Sequence, residues 1–179
     1  MKKLSMDELG RVTPSQYREQ SKIPLVVVLD NIRSMHNVGS VFRTADAFAV
    51  EKIYLCGITA TPPHKEIEKT ALGATETVAW EHFSDGVELL GRLKKDGYTI
   101  LAVEQTDSPT LLTNFSFDPT RKYAVIMGNE VFGVDDQLLA LCDGAIEIPQ
   151  VGVKHSLNVA VASAIVIWEV FRQWQPKTL

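Results

Sequence analysis

The sequence predicts an α/β domain whose mainly parallel sheet is flanked by helices, and three observations predict this class. Short runs rich in β-branched and aromatic residues, such as "IPLVVVLD" and "KYAVIMG", have the composition of buried strands. The segments between them have apolar residues three or four positions apart, which is the spacing of an amphipathic helix. Strands and helices alternate along the chain, as they do when helical crossovers connect parallel strands.

The first half of the chain begins with a helix. Thr13 followed by Pro14 predicts an N-cap and a first helical position, so "PSQYREQSK" is assigned to this helix. The run "IPLVVVLD" is the first strand, and "NVGSVFRTADAFAV" is a helix because its apolar residues recur at helical spacing. The strand "KIYLCGI", the helix "HKEIEKTAL" ended by Gly73 and the strand "TVAWEHF" follow.

The second half continues the alternation. The helix "DGVELLGRLKKDG" is closed by Gly97, because glycine commonly follows the last turn of a helix. The strands "YTILAVE" and "KYAVIMG", the helix "DDQLLALC" and the strand "AIEIP" come next. The long final helix, "SLNVAVASAIVIWEVFRQW", contains an apolar run too short to span a bilayer. We expect this run to be buried in the core or against a second subunit.

Length and composition indicate a soluble, cytoplasmic domain. The 179 residues can bury a sizeable core, and we divide them into a short N-terminal helical extension, 1–22, and a main domain, 23–179. No apolar stretch follows Lys2 and Lys3, so no signal peptide is predicted. Cys56 and Cys142 lie far apart and are interpreted as reduced thiols. The net charge of −4 argues against strong non-specific binding to nucleic acid, although a local basic surface remains compatible with it.

Several common sites are missing from the sequence. Neither of the glycine-rich patterns that bind dinucleotides or nucleoside triphosphates is present. The four histidines have no partners at the spacing of a zinc site, so no metal is predicted. Unusual polar and glycine residues instead follow three strands, in the segments 31–37, 128–133 and 149–158. Because ligands of open parallel sheets bind beyond the carboxyl ends of the strands, these segments are the candidate site.

The first segment leads into a helix that carries an arginine off its apolar stripe. Asn37 is a predicted N-cap, and Gly39 would allow the backbone to approach a ligand closely. Arg43 has two interpretations. It either forms a surface ion pair with Asp46, three residues on, or presents its guanidinium to a phosphate or a polarised hydroxyl.

The other two segments offer a carboxylate, a hydroxyl and an amide. Glu130 lies between glycines after a strand, where it is either a solvated or helix-initiating charge or part of a ligand site. Ser156 is a predicted N-cap of the final helix. Asn158, placed by this prediction inside an apolar helix, is a poor helix former whose amide requires partners.

Taken together, the segments "NVGSVFRTADA", "MGNEVFG" and "IPQVGVKHSLNVAVA" resemble the three motifs of the SpoU (TrmH-type) RNA 2′-O-ribose methyltransferases, in the SPOUT superfamily. They occur in the family's order, and one departure is Gln150, where the family usually has methionine. The resemblance implies a C-terminal deep trefoil knot, a homodimer with the knot at its interface, and S-adenosylmethionine bound in a bent shape among the knot loops. We expect Gln150 to affect pocket shape or substrate preference.

The resemblance also implies roles for individual residues. Five residues are implied to bind the cofactor, the first three mainly through backbone groups: Gly128, Ile148, Leu157, Val103 and Glu104. Five residues are implied to form the catalytic site at the ribose: Asn37, Arg43, Glu130, Ser156 and Asn158.

The implied reaction displaces a methyl group from a sulfonium with a ribose 2′-oxygen. In the family picture the arginine is a general base, but a guanidinium stays protonated at neutral pH. We therefore expect Arg43 to fix a substrate phosphate and to stabilise charge on the 2′-oxygen, while that phosphate or water accepts the proton. Base catalysis by Arg43 requires that Asn37 and the cofactor's charge lower its pKa.

The RNA target and two competing functions stay open. Transfer RNA is favoured over ribosomal RNA, because a dedicated RNA-binding domain would not fit in residues 1–22. Seven basic residues are candidates for RNA docking: Lys2, Lys3, Arg11, Arg18, Arg33, Lys65 and Lys154. One alternative is a non-catalytic RNA- or cofactor-binding module of the same fold. The other is an unrelated α/β enzyme that acts on a small anionic substrate at the same loops.

Overall fold

The computed structural model describes residues 1–5, 7–10, 12–154 and 156–174. Within these residues, one sheet contains seven strands: β1 (Ile23–Asp30), β2 (Val50–Cys56), β3 (Trp80–Phe83), β4 (Tyr98–Val103), β5 (Thr110–Leu111), β6 (Lys122–Met127) and β7 (Gly144–Glu147). Their order is β3-β2-β1-β6-β4-β7-β5, and each pair of neighbours is parallel. The predicted α/β class is confirmed, and the sheet is parallel throughout.

In the described part of the chain, six helices flank the sheet: α1 (Pro14–Glu19), α2 (Met35–Ala47), α3 (Lys65–Ala71), α4 (Gly86–Lys95), α5 (Asp136–Leu139) and α6 (Val159–Trp174). Short 3-10 turns occur at Asp7–Leu9, Ala74–Glu76 and Leu112–Asn114. The predicted order of helices is confirmed, although α5 is a single turn. The two-residue edge strand β5 was not predicted, because "TL" has no periodicity to indicate it.

Alternate residues of the central strand β1 face two separate cores. Leu25, Val27 and Leu29 are fully buried on the side that α2, α3 and α6 cover. Val26 and Val28 are buried on the opposite side, against α4. Successive strand residues point to opposite faces, so helices on both faces explain why β1 is apolar without alternation.

The carboxyl ends of β1 and β6 lie side by side at the centre of the sheet. From β1 the chain continues to β2 and β3 on one side, whereas β4 and β7 lie on the other side of β6. Connections that diverge in this way leave a crevice beyond the strand ends, where ligands of such sheets bind. The segments 31–34 and 128–133 leave the sheet at this point.

Two predicted helix caps are wrong. The N-cap of α2 is Ser34, whose hydroxyl accepts the backbone N–H of Asn37 at 3.3 Å, so Asn37 lies one turn inside the helix. Ser156 does not cap the final helix, which begins at Val159. The amide oxygen of Asn158 instead accepts the backbone N–H groups of Ala160 at 2.9 Å and Val161 at 3.3 Å, which is the role of an N-cap.

Gly39 serves helix packing. It lies inside α2, where a Cβ would collide with the carbonyl oxygen of Ile67 and the hydroxyl of Thr70 on α3. The expected close approach is therefore between two helices, and Gly39 does not line the candidate site.

The N-terminal helix α1 packs on the main core. Thr13 and Gln16 form a capping box at its start, which confirms the predicted cap. Tyr17 is 5% exposed and belongs to the same core as β1. The division into 1–22 and 23–179 stays a prediction. None of the described helices is long and apolar enough to cross a membrane.

Candidate functional site

A carboxylate from the segment after β6 holds the start of α2. The Glu130 carboxylate accepts the backbone N–H groups of Arg33 at 2.9 Å and Ser34 at 3.0 Å, and the Asn37 side-chain amide at 3.0 Å. Burial alone would raise the pKa of Glu130, but these donors, which favour the charged form, hold the pKa below its ordinary value. The charged Glu130 carboxylate therefore joins the segment after β6 to the segment after β1 by hydrogen bonds.

The third segment joins the same network through Asn158. Its Nδ2 donates to the Oδ1 of Asn37 at 3.1 Å, while its Oδ1 caps α6. Glu130, Asn37 and Asn158 thus form a continuous relay of hydrogen bonds. Each of the three segments singled out in the sequence contributes one of these residues, so the structure brings them together as predicted.

Asn129 shapes the turn that presents Glu130. Its Oδ1 accepts the backbone N–H groups of Val131 at 2.9 Å and Phe132 at 3.2 Å, and its Nδ2 donates to the Asn31 carbonyl at 2.7 Å. Two backbone hydrogen bonds between Asn129 and Gly133, both 2.9 Å, close the turn. Sequence reasoning gave Asn129 no role, although an asparagine between glycines after a strand is typical of such turns.

A cavity of about 660 Å³ opens beside the relay. It is lined by all five residues implied to bind the cofactor and by three of those implied to be catalytic: Val103, Glu104, Gly128, Ile148, Leu157, Glu130, Ser156 and Asn158. Gln150 also lines it. Ser156 is exposed and takes no part in the relay, so the structure supports a lining position for it and not a capping one.

Glu104 holds the far wall of the cavity. Its carboxylate accepts the backbone N–H of Val134 at 3.0 Å and that of Gln105 at 2.9 Å. A Cβ at Gly133 would collide with this carboxylate, and the φ of Gly133, +74°, also favours glycine. Glycine is required at Gly128 as well, because a Cβ there would collide with the backbone between Gly133 and Val134.

The charges that line the cavity are acidic. Glu104, Asp136 and Glu147 contribute carboxylates to its wall. A positively charged ligand fits such a wall, whereas a polyanion would be repelled by it. Sequence reasoning missed Asp136 and Glu147, and the position of Glu147 at the carboxyl end of β7 could have indicated it.

The free cations lie outside this cavity. Arg43 is exposed on α2, and neither its side chain nor that of Arg33 contacts a partner within the described part of the chain. The ion pair between Arg43 and Asp46 is not formed, and Asp46 accepts the hydroxyl of Thr77 at 2.6 Å. Arg43 lies six residues, or about 9 Å, further along α2 than Asn37.

Three of the seven basic docking candidates lie near the two ends of α2. Arg33 precedes α2 and Lys65 begins α3, and contacts between His36 and Glu66 join these two helix starts. Arg18 lies at the other end of α2, beside Tyr17, whose hydroxyl donates to the Ala45 carbonyl. Lys2 pairs with Glu8 at 2.8 Å, Lys3 and Lys154 are exposed, and Arg11 lies outside the described residues.

A second, apolar groove of about 550 Å³ borders the relay. It is lined by Asn37, Ser40, Phe48, Asn158, Ala160, Val161, Ala164, Ile165 and Trp168. The opposite face of α6 is buried in the core, yet Trp168 and Val161 are each 49% exposed. The apolar final helix therefore has one buried face and one face open to solvent.

Comparison with known proteins gives consistent results. Residues 24–168 match the SpoU rRNA Methylase family. The chain is 34% identical over 149 residues to a tRNA (guanosine(18)-2′-O)-methyltransferase from Thermus thermophilus, which covers 83% of this chain and 75% of that protein. The structure of a TrmH/SpoU tRNA modifying enzyme from A. aeolicus superposes with a TM-score of 0.79 at 29% identity, over 89% of this chain and 81% of that one.

An S-adenosylmethionine-bound rRNA methyltransferase from Sinorhizobium meliloti is also similar. Its TM-score is 0.79 at 26% identity, and the match covers 93% of this chain and 62% of that one. Fold and site thus define an α/β methyltransferase of the SPOUT class. The chain belongs to the SpoU rRNA methylase family. The trefoil knot stays a prediction from the resemblance.

Proposed function

We propose that this protein transfers a methyl group from S-adenosylmethionine to a ribose 2′-hydroxyl of RNA. The observation that carries the proposal is the relay from Glu130 through Asn37 to Asn158, which joins the three motif segments beside an acidic cavity. Membership of the methylase family excludes an unrelated α/β enzyme for small anions. A non-catalytic binding module of the same fold stays the alternative.

The cavity suits the cofactor in size and charge. Its volume of about 660 Å³ lies within the usual range of pockets for small molecules, roughly 300–1,000 Å³. When bound, S-adenosylmethionine supplies an electrophilic methyl group on a positively charged sulfonium. Glu104, Asp136 and Glu147 give the wall a negative charge that favours this cation, and Gly128, Ile148 and Leu157 offer backbone groups. The relatives with bound cofactor support the same assignment.

The RNA approaches from the side of the free cations. Arg43 has an exposed guanidinium without a protein partner, so its planar fork is free to bind a phosphate with two hydrogen bonds. Held there, it stabilises negative charge on the attacking 2′-oxygen, and the phosphate or water accepts the proton. Glu130 and Asn37 fix the start of α2, and they thereby position the helix that carries Arg43.

Transfer RNA is the proposed substrate class. The Thermus thermophilus relative is a tRNA methyltransferase, and the similar A. aeolicus structure is that of a tRNA modifying enzyme. Arg33 and Lys65, at neighbouring helix starts, would contact phosphates beside the site. An RNA substrate and the two free cysteines fit a cytoplasmic location.

We also propose a homodimer that covers the apolar groove. The groove is lined by Phe48, Ile165 and Trp168 and continues to Asn37 and Asn158, so a second copy would cover the site from this side. Ile165→Glu should give a monomer in sedimentation, because it places a charge in an apolar interface. Val87→Glu, on the opposite face of the sheet, is the control and should leave the mass unchanged.

Methyl transfer from labelled S-adenosylmethionine to unmodified transfer and ribosomal RNA tests the function. Digestion and mass spectrometry of the product should find a 2′-O-methylated nucleoside with the wild type and none with Arg43→Ala. Arg43→Lys should also lose most activity, since an ammonium cannot replace the two-pronged contact. Cofactor binding without product in either RNA pool would favour the non-catalytic module.

A further inference from the structure

The turn after β6 exposes two apolar side chains at its tip. Phe132 is 86% exposed, more than any other aromatic residue that the structure describes, and Val131 is 63% exposed. The tyrosines are all buried, and the other phenylalanines and tryptophans are less exposed. An aromatic ring held in water at this point requires an explanation, because phenylalanine is normally buried.

The exposure of Phe132 is built into a well-bonded turn. The Asn129 side chain accepts the backbone N–H groups of both Val131 and Phe132, and Asn129 and Gly133 close the turn with two backbone hydrogen bonds. Glu130, within the same turn, is tied to α2 by three further hydrogen bonds. The ring is therefore presented on a preorganised support, which reduces the entropy lost on binding a partner.

The surroundings of the ring indicate the class of partner. Phe132 lines the cavity, and Glu130, two residues before it, accepts the backbone N–H of Arg33 at 2.9 Å. Because two residues span at most about 7 Å, the backbone of Phe132 lies within that distance of the backbone of Glu130, whose carboxylate binds the start of α2. At that helix start Arg33 is exposed and its side chain has no partner within the described part of the chain, and Arg43 lies further along α2. An exposed aromatic ring near an unpaired arginine is a combination with which proteins bind unstacked nucleobases and their phosphates.

We propose that Phe132 stacks on a nucleobase of the RNA at the methylation site. This inference rests on the proposed function and adds a residue that recognises the substrate. Stacking would hold the base outside its helix and fix the rotation of the nucleotide, so that the ribose faces the relay and Arg43. Because every base has an aromatic face, Phe132 contributes affinity and orientation, and base identity is selected elsewhere.

Binding of unmodified transfer RNA to the wild type and to Phe132 variants tests the proposal without requiring turnover. Phe132→Ala should weaken RNA binding about 5- to 150-fold, which corresponds to the loss of one base–aromatic stack. Phe132→Leu should lose most of the same affinity, because it retains an apolar side chain but no ring face. Phe132→Tyr should restore binding to within about twofold. Val87→Ala removes an exposed apolar side chain from α4 and should change nothing.

The salt dependence of binding separates stacking from charge. Stacking releases no counterions, so Phe132→Ala should lower the affinity equally at all salt concentrations. Arg33→Ala should instead flatten the slope of log affinity against log salt by roughly 0.7–0.9. Because Phe132 also lines the cofactor cavity, the affinity of Phe132→Ala for S-adenosylmethionine is measured by calorimetry without RNA, and the loss of RNA affinity should exceed any loss of cofactor affinity.

Three results would overturn the proposal. A parallel loss of cofactor affinity in Phe132→Ala would assign the ring to the cofactor, and a change in sedimenting mass would assign it to a protein contact. Equal RNA affinity of Phe132→Leu and the wild type would exclude stacking. Wild-type protein that binds RNA but makes no methylated product would refute the proposed function alone, because the binding comparison would still decide the role of Phe132.

Discussion

Asn158 has two separable roles, and two substitutions distinguish them. Its Oδ1 caps α6 through Ala160 and Val161, and its Nδ2 donates to Asn37 at 3.1 Å. Asn158→Ala removes both interactions. Asn158→Ser retains an oxygen that can cap the helix but has no group that reaches Asn37. The two variants should therefore differ in stability and agree in activity.

The magnitudes follow from the two interactions. Loss of an N-cap costs about 1 kcal/mol, and loss of the hydrogen bond to Asn37 costs about 0.5–1.5 kcal/mol. Asn158→Ser should lower the free energy of unfolding by the cost of the lost hydrogen bond only. Asn158→Ala should lower it by both costs together, about 1.5–2.5 kcal/mol. For a chain of 179 residues, 1 kcal/mol changes the Tm by about 2–4 °C, so the difference is measurable. Both variants should lose methyl transfer by about 2- to 13-fold, the kinetic equivalent of the lost hydrogen bond.

Urea unfolding followed by circular dichroism gives the free energies, and initial rates with saturating cofactor give the activity. Equal destabilisation by the two substitutions would show that Asn158 is not the effective cap of α6. Wild-type rates in both variants would show that the link from Asn158 to Asn37 is unnecessary for the reaction, and would refute the reasoning from the relay.

Three further predictions concern packing, charge and thiols. Gly39→Ala should destabilise the protein by about 1–3 kcal/mol, because the added Cβ collides with a backbone carbonyl of α3. Gly91→Ala is the control: a Cβ at Gly91 in α4 meets open space, so this variant should stabilise the protein by up to about 1 kcal/mol in the same unfolding assay. Glu130→Gln should be less stable than the wild type above about pH 4.5. Because the pKa of Glu130 is lowered in the folded state, this difference in stability should vanish as the pH falls through the lowered pKa. The Tm of both proteins, measured as a function of pH, tests this. Burial raises the pKa of Cys56 to about 12 and that of Cys142 to about 11, so at pH 8 only roughly a thousandth of Cys142 is thiolate. The native protein should therefore react slowly with a disulfide reagent that labels both thiols rapidly in denaturant.

The parts of the fold that were predictable depend on local sequence. The strand β1 is an apolar run because both of its faces are covered, and α2 has an apolar stripe that faces one core. Such patterns can be recognised from a short window of the sequence alone. The edge strand β5 was not predicted, because its two exposed residues have no local pattern and form a strand only by pairing with β7 in the folded protein.

The sequence predicted that the three segments meet, but not the hydrogen bonds that join them. Ser34 and Asn37 are both good capping residues, and the local sequence does not choose between them. The choice depends on Glu130 and Asn158, which lie 93 and 121 residues away from Asn37 and engage its side chain. The same long separation hid the role of Asn129, which holds the Asn31 carbonyl across 98 residues.

These sequence separations determine when, during synthesis of the chain, the site can assemble. The relay draws on the first, third and last quarters of the sequence, and its final member, Asn158, is synthesised after the seven described strands. Contacts between such distant residues form late, because the intervening chain must be ordered first. A ribosome-bound chain that ends before α6 would contain the sheet and the Glu130 turn but lack the amide that completes the relay. Assembly of the site would then require that the chain has been synthesised and folded through α6.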